Sequence, residues 1–282
     1  MEPELLPDLG AVEETMLIPL YGRALESRDP EGILHDPLAV EMVERIDYDF
    51  ARFDGGPSLF GACLRTVLID HWVRRFLDAH PDGTVIEVGA GLNTRFERVD
   101  NGRLHWVDLD LPGAIALRRR FIPDGTGRRT TLAASVLESG WAEEVAQRPG
   151  PWFFAVEGVL PYLAPEEVSE TVARLAGRFP GSWFATETVA ASVIGNQQDH
   201  DVMSRVTARM HWACDDPRII EQWAPPGRAV RLRESLTLAQ LPPELLAGFS
   251  AARQEAVRAA AVTYAEQLET FRVNLFQVVG AD

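Results

Sequence analysis

Between residues 11 and 80 the apolar positions recur at helical spacing. Leu38, Val40, Met42, Val43 and Ile46 form one set, and Leu64, Val67, Leu68, Trp72, Val73, Phe76 and Leu77 form another. Apolar residues three and four apart share one face of a helix, so this stretch predicts helices with a buried side. The segment DFARFDGGPS (49–58) interrupts them with a Gly-Gly-Pro turn. From residue 84 the period changes. TVIEV (84–88) is short, β-branched and followed by glycines, the pattern of a parallel strand buried on both faces. LHWVD (104–108), TTLAA (130–134), WFFAVE (152–157) and SWFATE (182–187) repeat that pattern, with helical patterns over 112–120, 140–147 and 165–178. Pro165 followed by Glu166 and Glu167 marks a helix start, because proline suits the first turn and acids suit the positive end of the dipole.

Strand–helix alternation predicts an α/β fold with a doubly wound, mostly parallel sheet covered by helices on both faces. FRVNLFQVV (271–279) alternates like a strand and is expected to pair with another around 229–238, which gives the sheet an antiparallel end. The expected organisation is a single domain. It has a helical cap over 1–80, a cofactor-binding core over 81–187, a helical and irregular insertion over the active site at 188–228, and C-terminal strands and helix at 229–282.

Charge narrows the partners. With 42 acidic and 27 basic side chains the net charge is -15, a field that repels polyanions, so no nucleic-acid partner is expected. The densest cationic run, Arg118–Arg119–Arg120 with Arg128 and Arg129 behind it, reads as a solvated helix end and loop. The two cysteines, Cys63 and Cys214, have neither paired spacing nor histidine neighbours. They predict free thiols in a reducing compartment and no metal site. The acidic N-terminus lacks a basic leader, and no run of about 18 apolar residues occurs. A cytoplasmic protein without a membrane segment is expected, as a monomer or homodimer.

The sharpest motif is VIEVGAGLNTR (85–95), a strand running into Gly89-Ala90-Gly91. Glycines let backbone N–H groups approach a ligand closely. Asp108, at the expected end of the next strand and 21 residues after Glu87, stands where a ribose-binding carboxylate belongs. The third glycine of the dinucleotide fingerprint is missing, since Thr94 occupies its place. That glycine permits the tight helix packing that seats a pyrophosphate. With Glu87 beside the turn, a cationic ligand without phosphate is favoured, and S-adenosylmethionine fits better than NAD.

The blocks GLNTRFERVDNG (91–102) and WVDLDLPGAIALRRRF (106–121) resemble the leucine carboxyl methyltransferase superfamily, and within it the bacterial tetracenomycin-type polyketide O-methyltransferases. The likeness continues through 13–28, 36–50, 64–77, 157–168 and 208–223, nearly the whole chain. It implies a class I methyltransferase-like fold and S-adenosylmethionine as cofactor. By the same resemblance Arg65 would bind the methionine carboxylate, a task suited to a guanidinium. Gly89 and Gly91 would approach the cofactor with Glu87 beside them, Asp108 would hold the ribose and Leu109 would pack on the adenine. Ser135 and Val136 would lie near the adenine amino group, although many relatives carry an acid where Ser135 stands. Glu157 would face the methionine amino group, and Tyr162 would border the transfer site.

The acceptor is expected to be an aromatic or polyketide-like acid. Tyr21 and Arg23 in the cap, and Arg209, His211 and Trp212 in the insertion, are the polar and flat groups expected to meet it, with Tyr162, His211 and Arg209 closest to the chemistry. His200, in a polar QQDHD stretch, is a weaker choice. A carboxylate is already ionised at neutral pH and needs only an anchor, whereas a phenol needs a base. No histidine stands beside an acid in an arrangement that clearly makes a base, while Arg23 and Arg209 are available as anchors. The sequence therefore points to a carboxylate before a phenol. Methylation of a protein C-terminal carboxylate, or a sulfonium-binding cyclase or sensor without methyl transfer, are the competing readings.

Overall fold

The computed structural model describes residues 9–125 and 127–281. The chain opens with helices α1 (Ala11–Glu14), α2 (Leu17–Arg28), α3 (Pro37–Arg45) and the long α4 (Ser58–Ala79). Strands and helices then alternate: β1 (Thr84–Val88), α5 (Arg95–Val99), β2 (His105–Asp110), α6 (Pro112–Arg118), β3 (Arg129–Ala133), α7 (Gly140–Val145), β4 (Trp152–Val156), α8 (Pro165–Arg178) and β5 (Trp183–Val189). After α9 (Ala191–Gly195) and several 3-10 turns come β6 (Arg228–Thr237), α10 (Pro243–Ala247), α11 (Ala251–Thr263), α12 (Ala265–Glu269) and β7 (Phe271–Gly280).

The strands form one seven-stranded sheet in the order β3-β2-β1-β4-β5-β7-β6. β1 to β5 run parallel to one another, and β7 runs antiparallel between β5 and β6. The strand order reverses between β1 and β4, and a ligand crevice belongs at the carboxyl ends of strands at such a point.

Alternation along each strand divides two cores. Val85, Phe153, Ala155 and Leu275 face α4, which buries Leu64, Val67, Leu68, Trp72, Val73 and Phe76 against them. Ile86, Val107, Phe154, Phe184 and Phe276 face the other way, onto Trp141 of α7 and Val168, Val172 and Leu175 of α8. Each such fully buried aliphatic or aromatic side chain contributes roughly 1.5–3 kcal/mol. A third cluster joins α2 and α3 to Leu92 after β1 and to Val202, Met203 and Val206 beyond β5. The cap is thereby packed over the crevice. α8 starts as its sequence predicts, with Pro165 in its first turn and the Ala164 N–H donating to Glu167 Oε2 at 2.8 Å.

Two segments depart from expectation. β2 runs to Asp110, two residues beyond the predicted end at 108. Within 188–228, expected to be helical and irregular, the stretch 206–214 is extended with a strand-like alternation: Val206, Ala208, Met210, Trp212 and Cys214 are buried, while Thr207, Arg209, His211 and Ala213 between them are exposed. No helix among the described residues is long and apolar enough to cross a membrane.

Candidate active site

At the carboxyl ends of β1, β2 and β4 lies a cavity of about 1090 Å³. Gly89 and Gly91 take left-handed backbone conformations, φ 68° and 43°, which L side chains avoid. A Cβ on Gly89 would fall on Cγ2 of Val159, and one on Gly91 would come within 3.0 Å of Met16 Cβ. The turn therefore exposes bare backbone between the cap and the loop after β4.

Asp110, not Asp108, meets the cavity beside this turn. Its Oδ2 accepts from the Gly91 N–H at 2.6 Å and its Oδ1 from the Leu111 N–H at 2.7 Å. Burial raises its carboxyl above the usual range despite those donors. Asp108 lies one layer deeper and is 1% exposed. Its Oδ1 accepts from Arg118 at 2.9 Å and from the Trp106 indole at 3.0 Å, and its Oδ2 from Arg129 at 2.8 Å. Asp108 does not line the cavity and spends both oxygens on these partners, which corrects the expectation that it meets a ribose. Arg118, expected in a solvated helix end, is instead buried and also donates to the Gly91 and Asn93 carbonyls at 2.9 and 2.6 Å. Asp108 holds the arginine that holds the glycine turn.

Behind the turn lies a buried charge network. Arg95, from α5, donates to Asp70 at 2.7 Å and contacts Glu87 and Glu157 with its other two nitrogens. Arg98 pairs with Asp70 at 2.6 Å. Arg65 donates to Glu157 at 2.9 Å and lies 3.9 Å from Glu187. Glu187, at the end of β5, accepts from the Gly158 N–H at 2.7 Å. Four carboxylates thus meet three guanidiniums, and the adjoining Arg23–Asp36 pair at 2.8 Å leaves the balance unchanged. One oxygen each of Glu87 and Glu187 has no hydrogen-bond partner. Desolvation pushes Glu87 up to about 7 and also raises Glu187, whereas Arg65 and Arg95 hold Glu157 well below the usual carboxylate range although burial opposes them. A buried site with one acid in excess and two oxygens unpartnered suits a cation.

Of the residues singled out in the sequence, Arg65, Gly89, Gly91, Leu109, Ser135, Val136, Glu157, Tyr162 and Arg23 line the cavity. Glu87 stands behind the turn, where Asn93 donates to its Oε1 at 3.0 Å. Arg23 is 1% exposed and staples α2 to the glycine turn, donating to Asp36 at 2.8 Å and to the Leu92 carbonyl at 2.7 Å. It is a brace between segments, with no free fork for a substrate.

Tyr21, Arg209, His211 and Trp212 do not border the cavity. Tyr21 donates to Asp54 at 2.8 Å and stacks on Phe50. The extended 206–214 segment turns Arg209 and His211 outward, where Arg209 donates to the Val206 and Ala208 carbonyls at 2.8 and 2.7 Å. Trp212 points inward but into the core, 6.0 Å from Trp223. The period-2 alternation in VTARMHWAC was the available signal.

The outer part of the cavity draws on segments far apart in the chain. Ser58 and Phe60 begin α4, His200 to Met203 follow β5, Leu238, Val257, Ala260 and Leu268 come from the connection between β6 and β7, and Phe271 opens β7. The cover is thus not confined to 188–228. His200 stands beside Asp201 on this wall, with Nδ1 3.0 Å from Oδ1. No cluster of His, Cys, Asp and Glu able to hold a metal is found among the described residues.

Sheet order, crevice position and glycine turn define a class I methyltransferase fold. A solved methyltransferase-like structure from Thermobifida fusca has the same fold, with a TM-score of 0.56 at 15% identity over 93% of this chain and 94% of that one. The chain belongs to the leucine carboxyl methyltransferase family, whose model matches residues 16–176. It is 31% identical to the tetracenomycin polyketide synthesis O-methyltransferase TcmP of Streptomyces glaucescens, over 83% of this chain and 86% of that protein. It is also 28% identical to the S-adenosyl-L-methionine-dependent methyltransferase dpfgK of Gibberella zeae, over 77% of this chain and 80% of that protein. The protein is an S-adenosylmethionine-dependent methyltransferase.

Proposed function

We propose that the protein methylates an oxygen of a polyketide-like aromatic small molecule. The observation that carries this reading is the continuity of one cavity from the charged end at β1 and β4 into a mainly apolar chamber. Pockets for drug-sized ligands span roughly 300–1,000 Å³, so a cavity of about 1090 Å³ accommodates an acceptor beside the cofactor.

The residues fit the cofactor by charge and shape. Its sulfonium and ammonium outnumber its one carboxylate, which matches the surplus acid of the network. Arg65 would take the methionine carboxylate, while Glu157 with Glu187 would face the ammonium. Gly89 and Gly91 would let the backbone approach, and Asp110 would accept from the ribose hydroxyls in the role expected of Asp108. Leu109 would pack on the adenine, with Ser135 and Val136 at its edge. Glu87 would contribute field from behind the turn, and Tyr162 would border the transfer site. When bound, adenosylmethionine supplies the methyl group as an electrophile. The protein's work is to align the acceptor oxygen and keep water out. Tyr162 Oη, 3.6 Å from Met203 Sδ, joins the loop after β4 to the acceptor wall.

Both cysteines are buried free thiols, and burial raises each to about 12. That supports a reducing, cytoplasmic setting. The net charge of -15 supports a small-molecule partner over nucleic acid.

The test is incubation with adenosylmethionine and matched panels of polyketide-type phenols, aromatic acids and C-terminal peptides, read by mass spectrometry. Methylated phenols or acids are the expected products. Methylation of peptides alone, or cofactor binding without any product, would overturn the reading.

A further inference from the structure

The connection between β6 and β7 is fixed at both ends and thinly packed in the middle. At its start Leu241 and Phe249 are buried in the core between α4 and the sheet. At its finish the Thr270 carbonyl accepts from the Ala190 N–H at 2.8 Å, and Val273 of β7 is buried. Between these anchors α11 buries only Val257, and α12 buries no residue. Yet Ala256, Val257, Ala260, Tyr264, Gln267 and Leu268 line the outer part of the cavity. The two helices therefore lie along the chamber with one face toward it and most of their residues in solvent. Segments with few buried contacts are the ones that open at low cost.

Arg253 ties these helices to the cap. Its Nη2 lies 2.6 Å from Asp29 Oδ2 and 3.2 Å from Glu26 Oε1, and its Nε donates to the Glu31 carbonyl at 3.3 Å. Its guanidinium also sits 5.1 Å from the centre of the Phe60 ring. Among the described residues, α11 and α12 make no other hydrogen bond or ion pair to the cap. Asp29 is exposed, and an ion pair with an exposed member is weak enough to break and re-form. Two changes of direction bracket α11: Ser250 caps its start, accepting from the Arg253 N–H at 3.2 Å, and the backbone leaves the helix at Tyr264.

We propose that α11 and α12 form a lid that swings off the cap to load the acceptor, and that the contact of Arg253 with Asp29 and Glu26 is its latch. This rests on the reading above that the outer chamber holds the acceptor. The charged end of the cavity has no comparable release, because Arg65 and Arg95 are held by the buried Glu157. Closure removes water from a chamber in which the acceptor oxygen must be aligned, and re-opening lets the product out. Ala256 and Ala260 give up no side-chain rotamers when the lid settles on an acceptor. The latch closes onto α2, the helix whose Arg23 also holds the Leu92 carbonyl beside the glycine turn.

The test uses the full chain. Hydrogen exchange read by mass spectrometry should show α11 and α12 exchanging roughly tenfold or more faster than α4. Asp29→Asn should speed the two helices further and leave α4 unchanged. Helices as protected as α4, or exchange that neither Asp29→Asn nor Arg253→Gln alters, would overturn the proposal. A second experiment holds the lid shut by joining Asp29→Cys to Arg253→Cys in one chain with a short bis-maleimide; Cys63 and Cys214 are buried and escape the reagent. Compared with the same variant capped singly by N-ethylmaleimide, the joined form should lose roughly tenfold or more in acceptor turnover. Its affinity for S-adenosylhomocysteine should match that of the capped form. Equal turnover in the joined and capped forms would overturn the proposal. If wild type methylates no oxygen acceptor, the function reading fails by itself, and the exchange measurement still judges the lid.

Discussion

At the β1–β4 end of the cavity, Arg65, Arg95 and Arg98 are locked among Asp70, Glu87, Glu157 and Glu187, and Arg95 is fully buried. At the outer end the walls are Phe60, Met203, Leu238, Val257 and Phe271, and the polar groups are few, chiefly the His200–Asp201–Ser58 set. The first region draws its shape from directional, mutually dependent charge contacts. The second is shaped by side-chain volume on segments that share little else. On the proposed reading the cofactor takes the first kind of site and the acceptor the second, where a wall can change without disturbing the charges. Altering each end separately exposes the contrast.

The largest effect should come from Arg95→Ala, which strands Asp70, Glu87 and Glu157 without their shared cation. Breaking a buried pair costs about 3–5 kcal/mol, a large part of a typical domain's total stability. Denaturant unfolding should show that loss, and a change under about 1 kcal/mol would mean the network is not structural.

A smaller effect concerns pH. Burial pushes Glu87 up to about 7 and raises Glu187 as well, so near neutrality part of this end is protonated. A cation stabilises the ionised forms, so binding adenosylmethionine should release protons. Its affinity should then fall as pH drops from 8 to 6, by up to about tenfold per unit for each proton released. The demethylated product, lacking the sulfonium charge, should show a weaker dependence. Calorimetry in buffers of different ionisation enthalpy reads the released proton directly, and equal pH dependence for both ligands would remove the sulfonium from the explanation.

The smallest effect is at the wall. Leu238, partly buried beside Phe60 and Gly61, can be cut back to alanine at a stability cost of about 1–2 kcal/mol. The acceptor KM should rise several-fold while the cofactor Kd stays unchanged. A parallel loss of cofactor affinity would show that the two ends are coupled.

The same contrast explains what could be read in the sequence. The strands and the glycine turn were legible because each is a short local pattern, whereas Arg65 and Glu157, which line the cavity, were named only through the family resemblance. Asp110 was missed because β2 was ended two residues early. In a strand that is one repeat of the same face, enough to exchange a cavity acid for the buried acid beneath it. The rule that ligands lie at strand carboxyl ends would have chosen Asp110. Arg209 and His211 were placed near the chemistry because 188–228 was read as an insertion over the site, although the alternation over 206–214 marks an extended run with those two facing out. The His200–Asp201–Ser58 set joins residues 143 apart in the chain, and no local pattern announces such a meeting. Glu187 was noted only as the end of a strand, because its role depends on Arg65 and Glu157 beside it.

The central claim is that the cofactor is held by the outer of the two acids on β2 while the inner one braces the turn. Titrating adenosylmethionine calorimetrically into Asp110→Ala and Asp108→Ala tests it most directly, with melting temperatures measured on the same samples. Asp110→Ala should bind weaker by about 1–3 kcal/mol, the worth of charge-assisted hydrogen bonds, and melt close to wild type. Asp108→Ala should melt lower, since Arg118 and Arg129 lose their buried partner, yet bind with nearly wild-type affinity while folded. A folded Asp108→Ala that cannot bind, beside an Asp110→Ala that binds like wild type, would contradict the account.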